Sequence, residues 1–225
     1  MNERRERLII TTADGSHSLF VPSLEEHYHS TFGAIQESMH VFIANGLLKC
    51  NKKEPVVLEV GFGTGLNALL TLLNRGEKKI SYYSIEKYPL TEDEYSELNY
   101  PGLLPGCPPD LFMKIHRCEW DSPAEVTSGF TLTKLHSDLT LVDRNLLPVA
   151  DLVYFDAFAP AKQPEVWTDA VFEKIAARTS PGGIFVTYCS KGEVRRKLLS
   201  LGYKVQRIPG PPGKKEMLFG EKLES

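Results

Sequence analysis

The chain of 225 residues is 42% hydrophobic and carries a formal charge of −3, enough apolar material for one sizeable α/β core and too little net charge for a global attraction to nucleic acid. Its four cysteines, Cys50, Cys107, Cys118 and Cys189, form no C-x-x-C pair and have no histidine at zinc-finger spacing, so they read as reduced thiols and no metal is expected. The charged start Met1–Arg7 has no apolar run behind it long enough for a signal peptide, and no stretch approaches the roughly 18 apolar residues of a membrane span, so a cytoplasmic protein with no membrane partner is expected.

In chain order, Leu8–Val21 holds two β-prone runs around Asp14-Gly15, a hairpin signal. From Ser23 to Leu48, apolar residues recur at steps of three and four and Asn45-Gly46 offers a stop, so the spacing predicts a helix. It is read as a packing helix, with Gln36, Glu37 and His40 the residues that would face any ligand it covers. Residues 1–50 would then be an appendage of the same domain as residues 51–225.

Val56 to Val60 is an apolar, largely β-branched run that breaks into Gly61, Gly63 and Gly65, and good helix formers follow from Leu66. Strand, glycine loop and helix in that order leave free backbone N–H groups at the helix start. A dinucleotide fingerprint would need its third glycine at position 66, which is Leu66, so the spacing argues against a pyrophosphate and fits S-adenosyl-L-methionine. Ser81–Glu86 reads as the second strand, with Glu86 at its carboxyl end where a carboxylate accepts ribose hydroxyls.

Thr91 to Glu94 is a capping-box pattern, residues 103–109 are loop-like, and the stretch on to Glu125 is too mixed to assign. Phe130–Leu135 alternates as a half-buried strand and delivers Asp138, either an acceptor for an adenine amino group or a turn carboxylate capping a helix. Leu152–Phe155 is a buried strand that presents Asp156 at its carboxyl end, with Phe158 and Pro160 directly behind. A carboxylate beside a ring and a proline loop suits a target nitrogen, the ring stacking on a flat substrate and the oxygen accepting its N–H bonds. Thr168 is read as capping a helix through Arg178, Pro181–Gly183 as a turn into the strand Ile184–Thr187, and Tyr203–Ile208 with Glu216–Gly220 as an antiparallel hairpin. From Lys191 to Ser225, nine basic residues face four acidic ones, either a solvated face or a patch for phosphates.

These stretches resemble the methyltransferase part of the tRNA 5-methylaminomethyl-2-thiouridine biosynthesis proteins, the MnmC family. The likeness covers Tyr28–Phe42, Leu58–Asn67, Ser84–Leu90, Asp156–Trp167 and Gly213–Gly220, and the run after Asp156 is the most specific part. The resemblance implies a Rossmann-like class I methyltransferase, a seven-stranded sheet with an antiparallel last strand, joined here by the N-terminal hairpin and helix. It implies S-adenosyl-L-methionine as donor and the aminomethyl group of a modified wobble uridine in the tRNA anticodon region as acceptor. Carried over are Glu59, Gly61, Gly63, Thr64, Gly65 and Glu86 as cofactor contacts and Asp156 as the catalytic carboxylate; Phe158, Lys162, Arg195, Lys214 and Lys215 are the candidate substrate contacts. No second dinucleotide fingerprint and no further ~350 residues are present for a flavin-dependent oxidase half, so no flavin is expected and the oxidase step is assigned to a separate partner chain. The rivals are an aminopropyltransferase of the spermidine synthase type, another small-amine methyltransferase, and a nucleotide-binding module or nicotinamide oxidoreductase.

Overall fold

A computed structural model describes residues 6–224; the reading of Met1–Arg5 as a charged start lies outside them. Strands β1 (Leu8–Thr11) and β2 (His17–Val21) pair antiparallel about Asp14-Gly15 as expected, and β3 (Glu26–His27) extends the hairpin to a three-stranded sheet. The helix expected from Ser23 to Leu48 is broken. Pro22–Leu24 forms one tight turn, residues 28–33 are irregular, and α1 (Ala34–Ser38) continues as a π-helical turn over Met39–Ala44. Pro22 tolerates only a helix start, and Gly33 with φ of +146° ends the loop before α1. Asp14 fastens the joint, its carboxylate accepting from the Ser16 hydroxyl and from the Ser16 and Gln36 amides.

Then follow β4 (Val56–Val60), α2 (Leu66–Asn74), β5 (Ile80–Glu86), α3 (Glu92–Ser96), α4 (Tyr100–Leu103), α5 (Leu111–Arg117), β6 (Pro123–Thr127), β7 (Phe130–His136), β8 (Ala150–Phe155), α6 (Asp169–Ala176), β9 (Thr179–Thr187), α7 (Gly192–Ser200), β10 (Tyr203–Pro209) and β11 (Glu216–Lys222). The main sheet runs β10-β11-β9-β8-β4-β5-β7-β6. Its core pairs are parallel, and β11 inserts antiparallel between β9 and β10, the expected antiparallel last strand. The sheet has eight strands, not seven. The extra one, β6, lies antiparallel on β7 at the edge, where a strand begun by proline and alternating only weakly is tolerated and hard to read.

Alternate residues of the buried strands feed two apolar layers. Leu152 and Tyr154 join Val57 and the α2 leucines on one face, while Val153 and Phe155 join Leu58, Phe172 and Phe185 on the other. The Thr91–Glu94 capping box forms as expected. Thr168 occupies the cap position of α6, yet its hydroxyl donates to the Glu165 carbonyl and caps nothing. Strand β9 starts at Thr179, earlier than Ile184, and the register with β8 shifts across Pro181–Gly183.

Candidate active site

Successive strands are laid on opposite sides of β4, with β5 on one and β8 on the other, and the crevice at their carboxyl ends is where such sheets take ligands. The three tips are tied together. Gly61 N–H donates to the Ile85 carbonyl at 2.9 Å and Asp156 N–H to the Val60 carbonyl at 3.0 Å. Gly61 has φ of +91°, and a Cβ there would lie 2.6 Å from the Asp156 carbonyl oxygen, so only glycine lets the tips of β4 and β8 meet. Above them opens a cavity of about 420 Å³ that includes Gly61, Gly63, Thr64, Glu86, Asp138 and Asp156 among its walls. Glu86 is held by the glycine loop itself, accepting from Gly63 N–H at 3.0 Å and from Tyr88 N–H at 2.7 Å.

The N-terminal appendage supplies the roof. Tyr28 packs edge-on against Phe158 with centroids 5.0 Å apart, and both rings line the cavity. His29 Nε2 meets the Thr64 hydroxyl at 2.7 Å, and His116 Nε2 meets the Thr64 carbonyl at 3.1 Å. Burial pushes His29 down to about 4 and His116 to about 3, so both are neutral struts around the loop and not proton carriers near neutral pH. Glu37 reaches the cavity from α1, as one of the three candidates from that segment. His40 instead bonds the Pro209 carbonyl, and Gln36 is engaged through its amide by Asp14.

Asp156 has its carboxylate oriented by Asn67, whose side-chain amide donates to Oδ2 at 2.8 Å. Burial, and next the negative charge of Glu37, lift its pKa to about 7, against the pull of Asn67 and Lys214. Asn67 opens α2 as the one polar side chain in Leu66–Leu70, a signal the sequence offered. Asp138 lines the cavity, but its oxygens already bond the Thr140 amide and hydroxyl and pair with Lys87 at 2.8 Å. Those local bonds are the turn arrangement, and the adenine contact stays a proposal.

Several expected residues lie elsewhere. Glu59 is 0% exposed and stands behind the cavity, on the Val57 face of β4 that packs on α2. It accepts from the Ser84 hydroxyl at 2.6 Å, and burial lifts it to about 8. Glu59 Oε1 and Asn67 Oδ1 are both buried acceptors without a donor, and a neutral Glu59 has the proton they lack. Glu59 thus sits beside Asn67 and outside the lining of the cavity. Gly65 caps α2 and does not line the cavity. Lys162 pairs with Glu25 at 3.4 Å outside it, and Arg195 lies on α7, also outside. Lys214 does enter, and pairs there with Glu37 at 2.6 Å. Lys215 lines a neighbouring recess with Lys191. Lys197, counted in the basic run, is held by Asp169 and Glu193.

The neutral state of Glu59 has a measurable consequence. A raised carboxyl pKa gives stability that is complete below the unfolded value near 4.5 and is lost as pH rises to about 8. Glu59→Gln keeps the acceptor and donor without titrating, so its stability advantage over wild type should grow between pH 5 and 8, by up to about 4 kcal/mol. Urea unfolding at the two pH values measures it, and a constant difference would contradict the assignment.

The residues fit an adenosyl-sulfonium ligand. The backbone of Gly61 and Gly63 makes room, Glu86 keeps lone pairs for hydroxyls, Leu139 and Ile85 offer apolar walls, and α2 presents its first N–H groups with no acidic residue in that turn. Among the described residues no cluster of His, Cys, Asp or Glu could hold a metal, and no helix is long and apolar enough to cross a membrane.

A family model described as S-adenosyl-L-methionine-dependent methyltransferase matches residues 116–223. The bifunctional MnmC protein of Burkholderia thailandensis is 31% identical over 227 residues, covering 89% of this chain and 33% of that protein. That of Cupriavidus metallidurans is 32% identical, covering 88% and 31%. The crystal structure of MnmC2 from Aquifex aeolicus superposes with a TM-score of 0.80 at 28% identity, covering 100% of this chain and 72% of the other. The fold is Rossmann-like, and the family model that matches its second half is that of a methyltransferase using S-adenosyl-L-methionine. More narrowly, most of the chain is similar to MnmC proteins, and it spans about a third of the length of the curated relatives it matches.

Proposed function

We propose that this chain methylates the amine of a 5-aminomethyl group on the wobble uridine of tRNA, giving the 5-methylaminomethyl or 5-methylaminomethyl-2-thio form. The observation that carries the reading is the placement of Asp156, half-buried and aimed by Asn67, on the wall shared with the glycine loop and Glu86. Among the cavity's charged walls, carboxylates outnumber lysines, which suits an ammonium-bearing group and leaves tRNA phosphates to the surface outside.

The donor supplies an electrophilic methyl on a positive sulfonium. Asp156, ionised above about 7, accepts the N–H bonds of the amine, orients its lone pair and stabilises the charge that develops on nitrogen. Alignment in the cavity supplies much of the acceleration, roughly 7–11 kcal/mol in favourable cases. Phe158, braced edge-on by Tyr28, stacks on the extruded base. Phe158→Ala should weaken use of tRNA by roughly 5- to 150-fold in kcat/KM, the worth of one base–aromatic stack, with donor affinity unchanged by calorimetry.

Asp138 is assigned to the adenine and Glu86 to the ribose. Lys191 and Lys215, on the recess beside the mouth, are assigned to phosphates, with any partner that makes the aminomethyl group acting beforehand. An aminopropyltransferase of the spermidine synthase type is not favoured, since the matching family model is that of a methyltransferase. The test is nucleoside mass spectrometry of undermodified tRNA after incubation with trideuteromethyl-labelled donor. The reading predicts a 17-dalton gain on 5-aminomethyluridine or its 2-thio form, three deuteriums replacing one hydrogen with one carbon added; label only on putrescine, or none on nucleosides, overturns it.

A further inference from the structure

Lys214 belongs to the turn between β10 and β11, yet its ammonium reaches into the cavity. There it lies 2.6 Å from Glu37 Oε1 and 3.8 Å from the centroid of the Tyr188 ring. A primary ammonium between a carboxylate and an aromatic face is the arrangement an aminomethyl substrate would need. The seat is built without Lys214. Glu37 is 6% exposed, and its other oxygen is fixed by the Ser30 amide at 2.7 Å. Tyr188 is fixed by its hydroxyl, which donates to the Ala157 carbonyl at 2.8 Å, one residue beyond Asp156.

The occupant is the movable part. The Lys214 side chain is 33% exposed against 8% for that of Glu37, and it stems from a turn containing Gly210, Pro211, Pro212 and Gly213 at the cavity rim. A buried carboxylate stripped of its counter-ion is costly, so exchanging one ammonium for another at Glu37 is less costly than leaving the site empty. Both Glu37 and Lys214 act electrostatically on Asp156, which places the seat next to the catalytic carboxylate. Replacing the lysine ammonium by a substrate ammonium leaves that balance intact.

From this juxtaposition we infer that Glu37 and Tyr188 form the amine subsite of the cavity, and that Lys214 fills it until a primary alkyl ammonium takes its place. This rests on the reading of the chain as an amine methyltransferase, but not on the amine being carried by tRNA. Glu37 touches the substrate amine in its protonated, incoming form; the ammonium then gives one proton to the Asp156 carboxylate, and the neutral nitrogen bonds the methyl as the sulfur–methyl bond breaks, leaving the thioether of S-adenosylhomocysteine. Lys214 keeps the buried carboxylate paired.

The test titrates n-butylammonium chloride into wild type, Lys214→Met, and the double variant Glu37→Gln with Lys214→Met, followed by calorimetry, with binding of S-adenosyl-L-methionine confirming that each is folded. Lys214→Met should bind the probe about tenfold or more tightly than wild type, the order expected for one charge-assisted hydrogen bond freed from competition, and the double variant should lose that gain. Equal affinity in all three overturns the inference, as does a gain that survives in the double variant. In parallel, steady-state transfer to undermodified tRNA should show a lower KM in Lys214→Met; a raised KM would make Lys214 a phosphate contact and overturn its role as placeholder. If wild type methylates no tRNA while the butylammonium pattern holds, the tRNA reading falls and the subsite stands. If tRNA is methylated and the pattern is absent, the subsite falls alone.

Discussion

Asp156→Ala is expected to reduce the single-turnover rate of methyl transfer by about 10²- to 10⁴-fold, the usual contribution of a positioned acid–base group, while donor affinity stays within about threefold of wild type by the same reasoning. The separation follows from the geometry. Glu86 and the glycine loop line the cavity through β4, β5 and the start of α2, and those contacts survive truncation of a side chain on the far strand. Asp156→Asn keeps the shape but cannot carry negative charge, so its rate should fall nearly as far. Burial holds Asp156 at about 7, with Glu37 adding to the shift, so activity should drop as pH falls through that value. Stability should move the other way: a carboxyl whose pKa is raised from 3.8 contributes stability that is complete at low pH and lost as pH rises through about 7.

Gly61→Ala is the second large effect. Its Cβ would meet the Asp156 carbonyl oxygen at 2.6 Å, and its φ of +91° adds backbone strain of about 1–3 kcal/mol. For a chain of this size the strain alone corresponds to a fall of about 2–12 °C in melting temperature. The clash adds more, because the neighbouring atom is backbone and cannot swing away. Gly76→Ala is the matched control, since that glycine has φ of +57° but nothing within 4 Å of an added Cβ. The melting temperature should fall further for Gly61→Ala than for Gly76→Ala, and only Gly61→Ala should lose methyl transfer, because displacing Asp156 by about 1 Å costs on the order of 10²-fold in rate. Equal losses at both positions would mean that the β4 and β8 tips are not coupled through Gly61.

What was legible in the sequence was the chemistry carried at the ends of buried parallel strands. Val56–Val60 and Leu152–Phe155 are apolar runs that stop abruptly, so Gly61 and Asp156 announced themselves as the residues that emerge, and the β10–β11 hairpin read correctly from its Gly-Pro-Pro-Gly turn. The side of the sheet was legible too: strand parity puts Glu59 with Val57, facing α2, outside the cavity lining. Contacts across long separations were not legible. The Glu37–Lys214 pair joins residues 177 positions apart, and nothing local distinguishes Lys214 from Lys215, which lines a separate recess. Edge strand β6 was missed because one paired side and a polar composition leave little periodicity to read.

The placement of Asp156 against the transferred methyl is tested most directly by the pH dependence of the single-turnover rate, with donor and undermodified tRNA saturating, for wild type and Asp156→Asn. The wild-type rate should climb about tenfold per pH unit below a midpoint near 7 and level above it, and that limb should be missing from the slow Asp156→Asn variant. A wild-type rate indifferent to pH between 5 and 8, or an Asp156→Asn variant with the same midpoint and a near-normal plateau, would contradict the account.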